Sequence, residues 1–239
     1  AVIFLARPHR RNAWTGRMHS EYRFLLDQAN NDRSVGAIVV SGEGDSFCVG
    51  GDSQALQGHS ARGSYDSGVS SDIALPGYGI DERFDATFAY HYGLNKPIIA
   101  AINGAAAGVG LALAAFADIR FAVPMAKLTT AHGKLNLPAE YGLSWVLPRI
   151  VGLGRANDLL LTSRVFLSEE AEKIGFVNQL FSSEQLLHEA EGYARALVNN
   201  ISPDSLRQTR WQIYRDQHDA VARSVEKSEE LLESMMKDE

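Results

Sequence analysis

Cysteine occurs once in the 239-residue chain, at Cys48. A single thiol excludes an intrachain disulfide and any cysteine-rich metal site. It fits a reducing compartment, and a cytoplasmic location is expected. Basic residues are in deficit: 23 Lys and Arg against 29 Asp and Glu give a formal net charge of −6. A general nucleic-acid binder is usually basic, so no nucleic-acid partner is expected. The deficit does not exclude an anionic ligand, because local N–H groups and a few arginines outweigh mean charge at short range. Long apolar runs are missing as well. The longest, Leu111 to Ala117, is seven residues, against the roughly 20 residues of a membrane span, so no membrane association is expected. No signal peptide is visible. The chain starts at Ala1 inside what reads as a strand, which leaves room for residues upstream, a targeting segment among them. His9, His19, His59, His91, His188 and His218 fall at no metal-ligand spacing, and no metal is expected. No Gly-Lys-Ser/Thr occurs, and Gly108-Val109-Gly110 lacks the third glycine of a dinucleotide fingerprint. No Ser-His-Asp arrangement can be read from spacing alone.

What is present is an ordinary globular balance, 45% hydrophobic and 22% charged, in a chain long enough for one sizeable core. Ala1–Ala6 reads as a strand ended by Pro8. Trp14–Asn30 carries Met18, Tyr22, Leu25, Leu26 and Ala29 at helical spacing. Gly36–Ser41 and Pro97–Ile102 are continuous apolar runs, as strands covered on both faces would be. Asp118–Val123 and Phe176–Phe181 read as further strands. Helices are expected over Phe84–Leu94, Gly142–Ile150, Arg155–Thr162 and Ser168–Gly175, the last capped by Ser168. Gln57–Gly79 is rich in Ser and Gly without a period, and a loop of that length is usually functional. From Ser183 to Glu239 the pattern is amphipathic helix broken at Ser202-Pro203. Such a tail packs either on a neighbouring subunit or on its own core. Strand–helix alternation over the first two-thirds predicts an α/β core with parallel strands.

Two glycine turns stand out: Phe47-Cys48-Val49-Gly50-Gly51-Asp52 and Asn103-Gly104-Ala105-Ala106-Ala107-Gly108-Val109-Gly110. Either alone is accounted for as a tight turn. Together they suggest two backbone N–H groups left unpaired and aimed at one point, the second at a helix N-terminus. Two such donors form an oxyanion hole able to stabilise a thioester enolate.

At these residues the chain resembles a known family. Arg7-Pro8-His9-Arg10-Arg11-Asn12-Ala13 is similar to the "RPxxxNA" opening of the crotonase (enoyl-CoA hydratase/isomerase) superfamily, and Phe47–Asp52 to its first oxyanion-hole loop. Lys96–Asp118 resembles its central signature. Leu147-Pro148-Arg149 with Gly152, and Arg164–Val177, resemble later segments in the same order. The resemblance implies a crotonase-like spiral of ββα repeats over residues 1–182 with an acyl-CoA site. It implies a C-terminal helical trimerisation region over 183–239, giving a homotrimer or a dimer of trimers. The C-terminus reads as shorter than the family norm, so some CoA contacts and part of the trimer seam are expected to be missing. Coenzyme A would enter as part of the substrate, with no separate cofactor. By alignment, Gly51 N–H and Val109 N–H would hold the thioester oxygen, Val109 standing where glycine is common and narrowing the pocket. Gly108 would line the same loop. Arg10 and Arg11 lie where relatives contact the CoA phosphates or adenine, although a solvated surface pair is the plain alternative. Val49 and Asp52 would flank the adenine and pantetheine arm, mainly through backbone atoms.

The acid/base residues decide the reaction. Hydratases of the best-known type use two glutamates, and the aligned positions here are Ala112 and His132. Glu140, in Leu137-Pro138-Ala139-Glu140-Tyr141-Gly142, matches instead the single carboxylate of double-bond isomerases and the nucleophile position of a dehalogenase. One carboxylate suffices to remove a proton alpha to the thioester and return it at the gamma carbon. A partly apolar pocket would tune it for that shuttle. Alternatively, Glu140 is only a first-turn helix acid. His132 is the second candidate, as a base or an orienter of water, against the plain reading of a hydrogen-bonded structural histidine. Three functions follow: isomerisation through Glu140; hydration in the manner of fatty-acid β-oxidation, using His132; and non-catalytic acyl-CoA binding.

Overall fold

The computed structural model describes residues 1–53 and 81–237, so the expected Gln57–Gly79 loop lies outside the described residues. Nine strands form two sheets among these residues. The larger has the order β1 (Val2–Leu5), β2 (Ile38–Gly42), β4 (Ile98–Ile102), β6 (Ile119–Ala122), β9 (Gln179–Leu180), and every pair in it is parallel. The smaller runs β3 (Ser46–Cys48), β5 (Ala105–Ala107), β7 (Lys127–Thr129), β8 (Phe166–Leu167), with only the last pair antiparallel. Consecutive strands therefore alternate between sheets: β2 to β3, β4 to β5, β6 to β7. The β4–β5 and β6–β7 pairs each turn a corner and return through helix, as in the ββα spiral that the resemblance implies.

Two asparagines hold the corners. Asn12 Nδ2 donates to the carbonyls of Glu43 and Ser46 at 2.9 and 2.7 Å, and Asn103 Oδ1 accepts from Gly42 N–H at 3.0 Å. Asn12 is fully buried, and its amide satisfies carbonyls that the change of sheet leaves without a ladder partner.

The continuous apolar runs are explained by burial on both faces. Ile38, Val40, Ile98, Ala100 and Ile102 enter the main core. Val39, Ile99 and Ala101 face the other way, under Leu186 and Ala190 of the helix Leu186–Asn200. The helices are α1 (Gly16–Asn31), α2 (Val109–Ala115), α3 (Leu143–Val151), α4 (Leu153–Thr162), α5 (Ser168–Lys173), α6 (Leu186–Asn200), α7 (Pro203–Asp216) and α8 (Val221–Lys237). The Thr15 hydroxyl caps α1 by accepting from Met18 N–H at 3.2 Å.

Three expectations need correction. Phe84–Leu94 is not an α-helix but two short 3₁₀ turns, Glu82–Phe84 and Ala89–Gly93. Phe88 between them has a left-handed φ of 62°. The carbonyls of His91, Tyr92 and Leu94 are taken by the buried guanidinium of Arg210 on α7, so helical continuation is not needed to satisfy them. Ser168 is the first residue of α5 and not its cap. Its hydroxyl accepts from Ala126 N–H at 3.1 Å and ties the helix to the loop before β7. The strand expected over Phe176–Phe181 shortens to Gln179–Leu180. The tail also breaks a second time, between Asp216 and Val221. Its α7 closes the chain's own core through Arg210 and Tyr214, whereas Val221, Val225, Leu232 and Met236 of α8 stay exposed.

Candidate active site

The two glycine turns follow β3 and β5, neighbouring strands of the smaller sheet. The first turn runs beside residues 11–14. Val49 N–H donates to Arg11 O at 3.3 Å, Trp14 N–H to Gly50 O at 2.8 Å, and Asp52 N–H to Trp14 O at 2.8 Å. Trp14 and Gly51 thus form one parallel bridge. In a parallel bridge the single residue bonds to the groups on either side of its partner. The N–H of Gly51 is therefore directed away from Trp14, and Gly51 is exposed.

In the second turn Gly108, with φ 51°, donates its N–H to Thr129 O on β7 at 3.1 Å. Val109 opens α2, where an N–H has no intrahelical acceptor. The turns touch. A Cβ built on Gly108 would lie 4.0 Å from the Gly50 Cα, and one on Gly110 would lie 2.2 Å from the Cys48 carbonyl oxygen. Glycine at 110 is thus the condition for the start of α2 to sit on the end of β3. The Cys48 thiol is buried in the same seam. Burial pushes it up to about 11, partly offset by the N–H of Gly50, so it stays protonated and is no nucleophile at neutral pH.

His132 comes next along β7. Thr130 O lies 4.0 Å from the Cβ position of Gly108, and His132 begins a 3₁₀ turn two residues later. Ala131 between them is left-handed at φ 62°. A hydroxyl network holds this bend: Ala131 N–H donates to Thr129 Oγ1, Thr129 Oγ1 to Ser163 O, and Gly133 N–H to Ser163 Oγ, at 3.0 to 3.1 Å. The imidazole is 9% exposed. Its Nδ1 is buried and has no hydrogen-bond partner among the described residues. Ala112 is wholly buried on α2.

Glu140 is exposed and lies outside α3. Its carbonyl accepts from Leu143 N–H at 3.1 Å, and the left-handed Tyr141 and Gly142 follow it at φ 52° and 72°. It is therefore not a helix acid, and among the described residues the expected apolar enclosure does not surround it. The Tyr141 ring packs on Phe88 at 5.6 Å.

The expected substrate-binding residues divide. Asp52 is buried, with its amide on Trp14 and its carboxylate on Arg7 Nη1 at 3.1 Å and Arg10 Nη2 at 3.4 Å. It acts in this chain as the anchor of the opening motif. Arg10 is joined to it while remaining partly open to solvent. Arg11 is exposed and places Nε on Ser46 Oγ at 3.3 Å. Val49 is half-buried beside Arg11.

Sequence reasoning missed an aromatic cluster. Trp14, His19, Tyr22, Phe88, Tyr90 and His91 pack ring to ring. Burial pushes His19 down to about 4 and His91 down to about 3. His91 Nδ1 faces the Phe116 carbonyl at 3.3 Å, so it carries the proton and Nε2 accepts from Tyr22 Oη at 3.0 Å. The density of rings in Phe88-Ala89-Tyr90-His91-Tyr92 was the available signal. Among the described residues no group of three metal-ligating side chains occurs, and no helix is long and apolar enough to cross a membrane.

Comparison with known proteins agrees with this architecture. The family model for enoyl-CoA hydratase/isomerase matches residues 1–239. The chain is 32% identical over 197 residues to the 1,2-epoxyphenylacetyl-CoA isomerase of Escherichia coli (strain K12), covering 82% of this chain and 72% of that protein. It is 32% identical over 200 residues to the crotonyl-CoA hydratase of Syntrophomonas wolfei, covering 83% and 72%. The solved structure of Pseudomonas aeruginosa PA4980 superposes with a TM-score of 0.81 at 29% identity, covering 95% of this chain and 92% of that one. With the opening motif, the two glycine turns and the two-sheet spiral in place over the whole match, the chain belongs to the enoyl-CoA hydratase/isomerase family of the crotonase superfamily.

Proposed function

We propose that the chain moves a carbon–carbon double bond within an acyl-CoA thioester through an enolate. The observation that carries this reading is the contact between the glycine turns. Gly108 lies against Gly50 and Gly110 against Cys48, and the neighbouring N–H groups of Gly51 and Val109 have no ladder or helix acceptor of their own, which supports a pair of donors for one oxygen. A thioester oxygen accepting from both would gain stabilisation as it becomes an enolate oxygen. Coenzyme A enters as part of the substrate. Glu140 is the carboxylate for the proton. It takes the alpha proton, the electron pair moves onto the thioester oxygen, and the proton returns at the gamma carbon as the pair flows back. Two glutamates that would place and activate water are absent, with Ala112 and His132 in their positions.

The test uses the ultraviolet absorbance of a conjugated enoyl thioester. A 3-enoyl-CoA is expected to gain absorbance with wild-type protein. Glu140→Gln should lower kcat at least about 100-fold, the lower end of what a positioned acid/base contributes, while still binding acyl-CoA. Turnover near wild type in that variant would remove Glu140 from the mechanism.

One observation favours a second reading. The buried, partnerless Nδ1 of His132 is a group able to orient a water, as hydration requires. That reading expects absorbance to fall with a 2-trans-enoyl-CoA, a 3-hydroxyacyl-CoA to form, and His132→Ala to abolish both.

A further inference from the structure

We propose that the chain holds a small tetrahedral oxyanion, of the inorganic phosphate class, in a second cavity away from the glycine turns. This cavity has a volume of about 100 Å³ and lies where the end of α2, the helix α3 and the end of α7 meet. Its walls include Tyr92, Asp118, Arg120, Arg149, Tyr214 and Gln217. The helix α2 separates it from the glycine turns. Val109 opens that helix and Ala115 closes it, about 10 Å further on.

Two deeply buried donors line this space. Arg120 is 7% exposed. Its Nε donates to Phe176 O at 2.6 Å, and its Nη1 donates to Ala117 O at 2.5 Å and Ala115 O at 3.5 Å. Among the described residues its Nη2 has no partner, and no carboxylate lies within ion-pair distance of the guanidinium. Tyr92 is 5% exposed. Its ring stacks on Tyr214, with centroids 3.7 Å apart and planes at 13°, yet the two hydroxyls are used differently. Tyr214 Oη donates to Asp118, whereas Tyr92 Oη has no partner among the described residues. Burial pushes the Tyr92 hydroxyl well up, so it keeps its proton to donate. Buried donors are normally met, and a buried guanidinium normally has a counter-charge. The carbonyls that end α2 supply only part of that charge.

Charge and size choose the ligand. Asp118 is already matched by Arg210 at 2.9 Å and also accepts from Ile98 N–H at 2.6 Å. Arg149 sits 3.9 Å over the Trp145 ring, with Nη1 on Trp145 O at 2.8 Å, which fixes it at the rim. The wall therefore keeps two cations, Arg120 and Arg149, without a matching acid, and this suits a dianion. Two guanidinium groups, a hydroxyl and the Gln217 amide supply donors, as the acceptor-only oxygens of phosphate require. The volume equals that of about three waters and is well under the roughly 300 Å³ at which pockets for larger ligands begin. A nucleotide or an acyl group is too large for it. A bound ion would join α2, α3 and α7, so stability should follow its concentration.

The test is titration calorimetry of the intact chain with inorganic phosphate, at ionic strength fixed with NaCl, paired with thermal melts. Phosphate at about ten times the measured Kd should raise Tm by about 3–6 °C. Tyr92→Phe keeps the ring stack and removes one donor, so binding should weaken about ten- to hundredfold. Arg149→Gln changes an exposed residue, which spares the fold, and should weaken binding about two- to fivefold. Arg11→Gln, beside the first glycine turn, should leave it unchanged. Absence of phosphate binding overturns the proposal, as does a Tm rise that NaCl alone reproduces. Binding that Tyr92→Phe and Arg149→Gln leave intact overturns it too, and its loss in Arg11→Gln would then put the anion at the glycine turns.

Discussion

Replacement of Gly110 by alanine tests the contact between the two glycine turns directly. The new Cβ would lie 2.2 Å from the Cys48 carbonyl oxygen and 2.7 Å from the Cys48 Cβ. Relief to an ordinary 3.4 Å contact requires about 1.2 Å of movement. Both partners are fixed. Cys48 is paired with Ala106 in the smaller sheet, and the start of α2 is tied through Gly108 N–H to Thr129 and through Gly108 O to Ala112. Overpacking against such constraints costs about 1–3 kcal/mol. In a chain of this size each kcal/mol is worth about 2–4 °C, so Tm should fall by roughly 2–12 °C. The functional effect should be larger than the loss of stability. Moving Val109 N–H by about 1 Å relative to Gly51 N–H should cost about 100-fold in kcat per folded molecule. Gly192→Ala in α6 is the control. Its Cβ meets nothing within 4 Å, so it should gain about 0.4–1 kcal/mol with unchanged turnover. Thermal melts by circular dichroism, paired with turnover measured well below the variant's Tm, read both quantities. Wild-type kcat in Gly110→Ala would refute the claim that these two N–H groups act together.

Arg210→Met removes the guanidinium that pairs with Asp118 at 2.9 Å and satisfies the carbonyls of His91, Tyr92 and Leu94. The buried partner is the guanidinium, while the half-buried Asp118 keeps Ile98 N–H and the Tyr214 hydroxyl, so the loss should be about 3 kcal/mol in a urea titration, the low end for breaking a buried pair, and a loss under about 1 kcal/mol would mean that α7 does not depend on this pair. His91 gives a pH signature. Its folded-state value of about 3 lies below the ordinary 6.5, so below pH 6.5 the unfolded chain binds a proton that the folded chain refuses. Its contribution is complete above pH 6.5 and is lost as pH falls towards 3, at about 1.4 kcal/mol per pH unit. Urea titrations at pH 7 and pH 5 should therefore show a steeper loss in wild type than in His91→Asn, and parallel losses would contradict the assignment.

The layer architecture was legible because its signal is local. Ala37–Val40 and Pro97–Ile102 are apolar at every position, and the structure buries alternate residues of each in two different clusters. Corner and turn residues were legible as motif but not as mechanism. Asn12 reads as one letter of an opening pattern, and only the fold shows it bonding to the carbonyls of Glu43 and Ser46, more than 30 residues away. The misread segment, Phe84–Leu94, failed for the same reason in reverse. Its rings match a helical period loosely, but the partner that decides its conformation is Arg210, more than 100 residues downstream. A long-range donor able to satisfy free carbonyls outweighs helix propensity, which amounts to a few tenths of a kcal/mol per residue.

The same distinction explains the site. Glycine at motif positions was legible because its spacing encodes close approach of main chain to main chain. Gly110 against Cys48 is that encoding made physical. Side chains that converge from separate elements are encoded differently. Trp14 precedes α1, His19 lies within it, Phe88 separates two 3₁₀ turns and Tyr141 precedes α3. No spacing rule links these four residues, so their packing as one aromatic cluster becomes visible only after folding. The left-handed Phe88 and Tyr141 are positions where local preference yields to that arrangement. In this chain the glycine seam is thus written in short-range pattern and the aromatic cluster in long-range packing, so exchanging Gly110 should disturb a contact that the motif alone already marks.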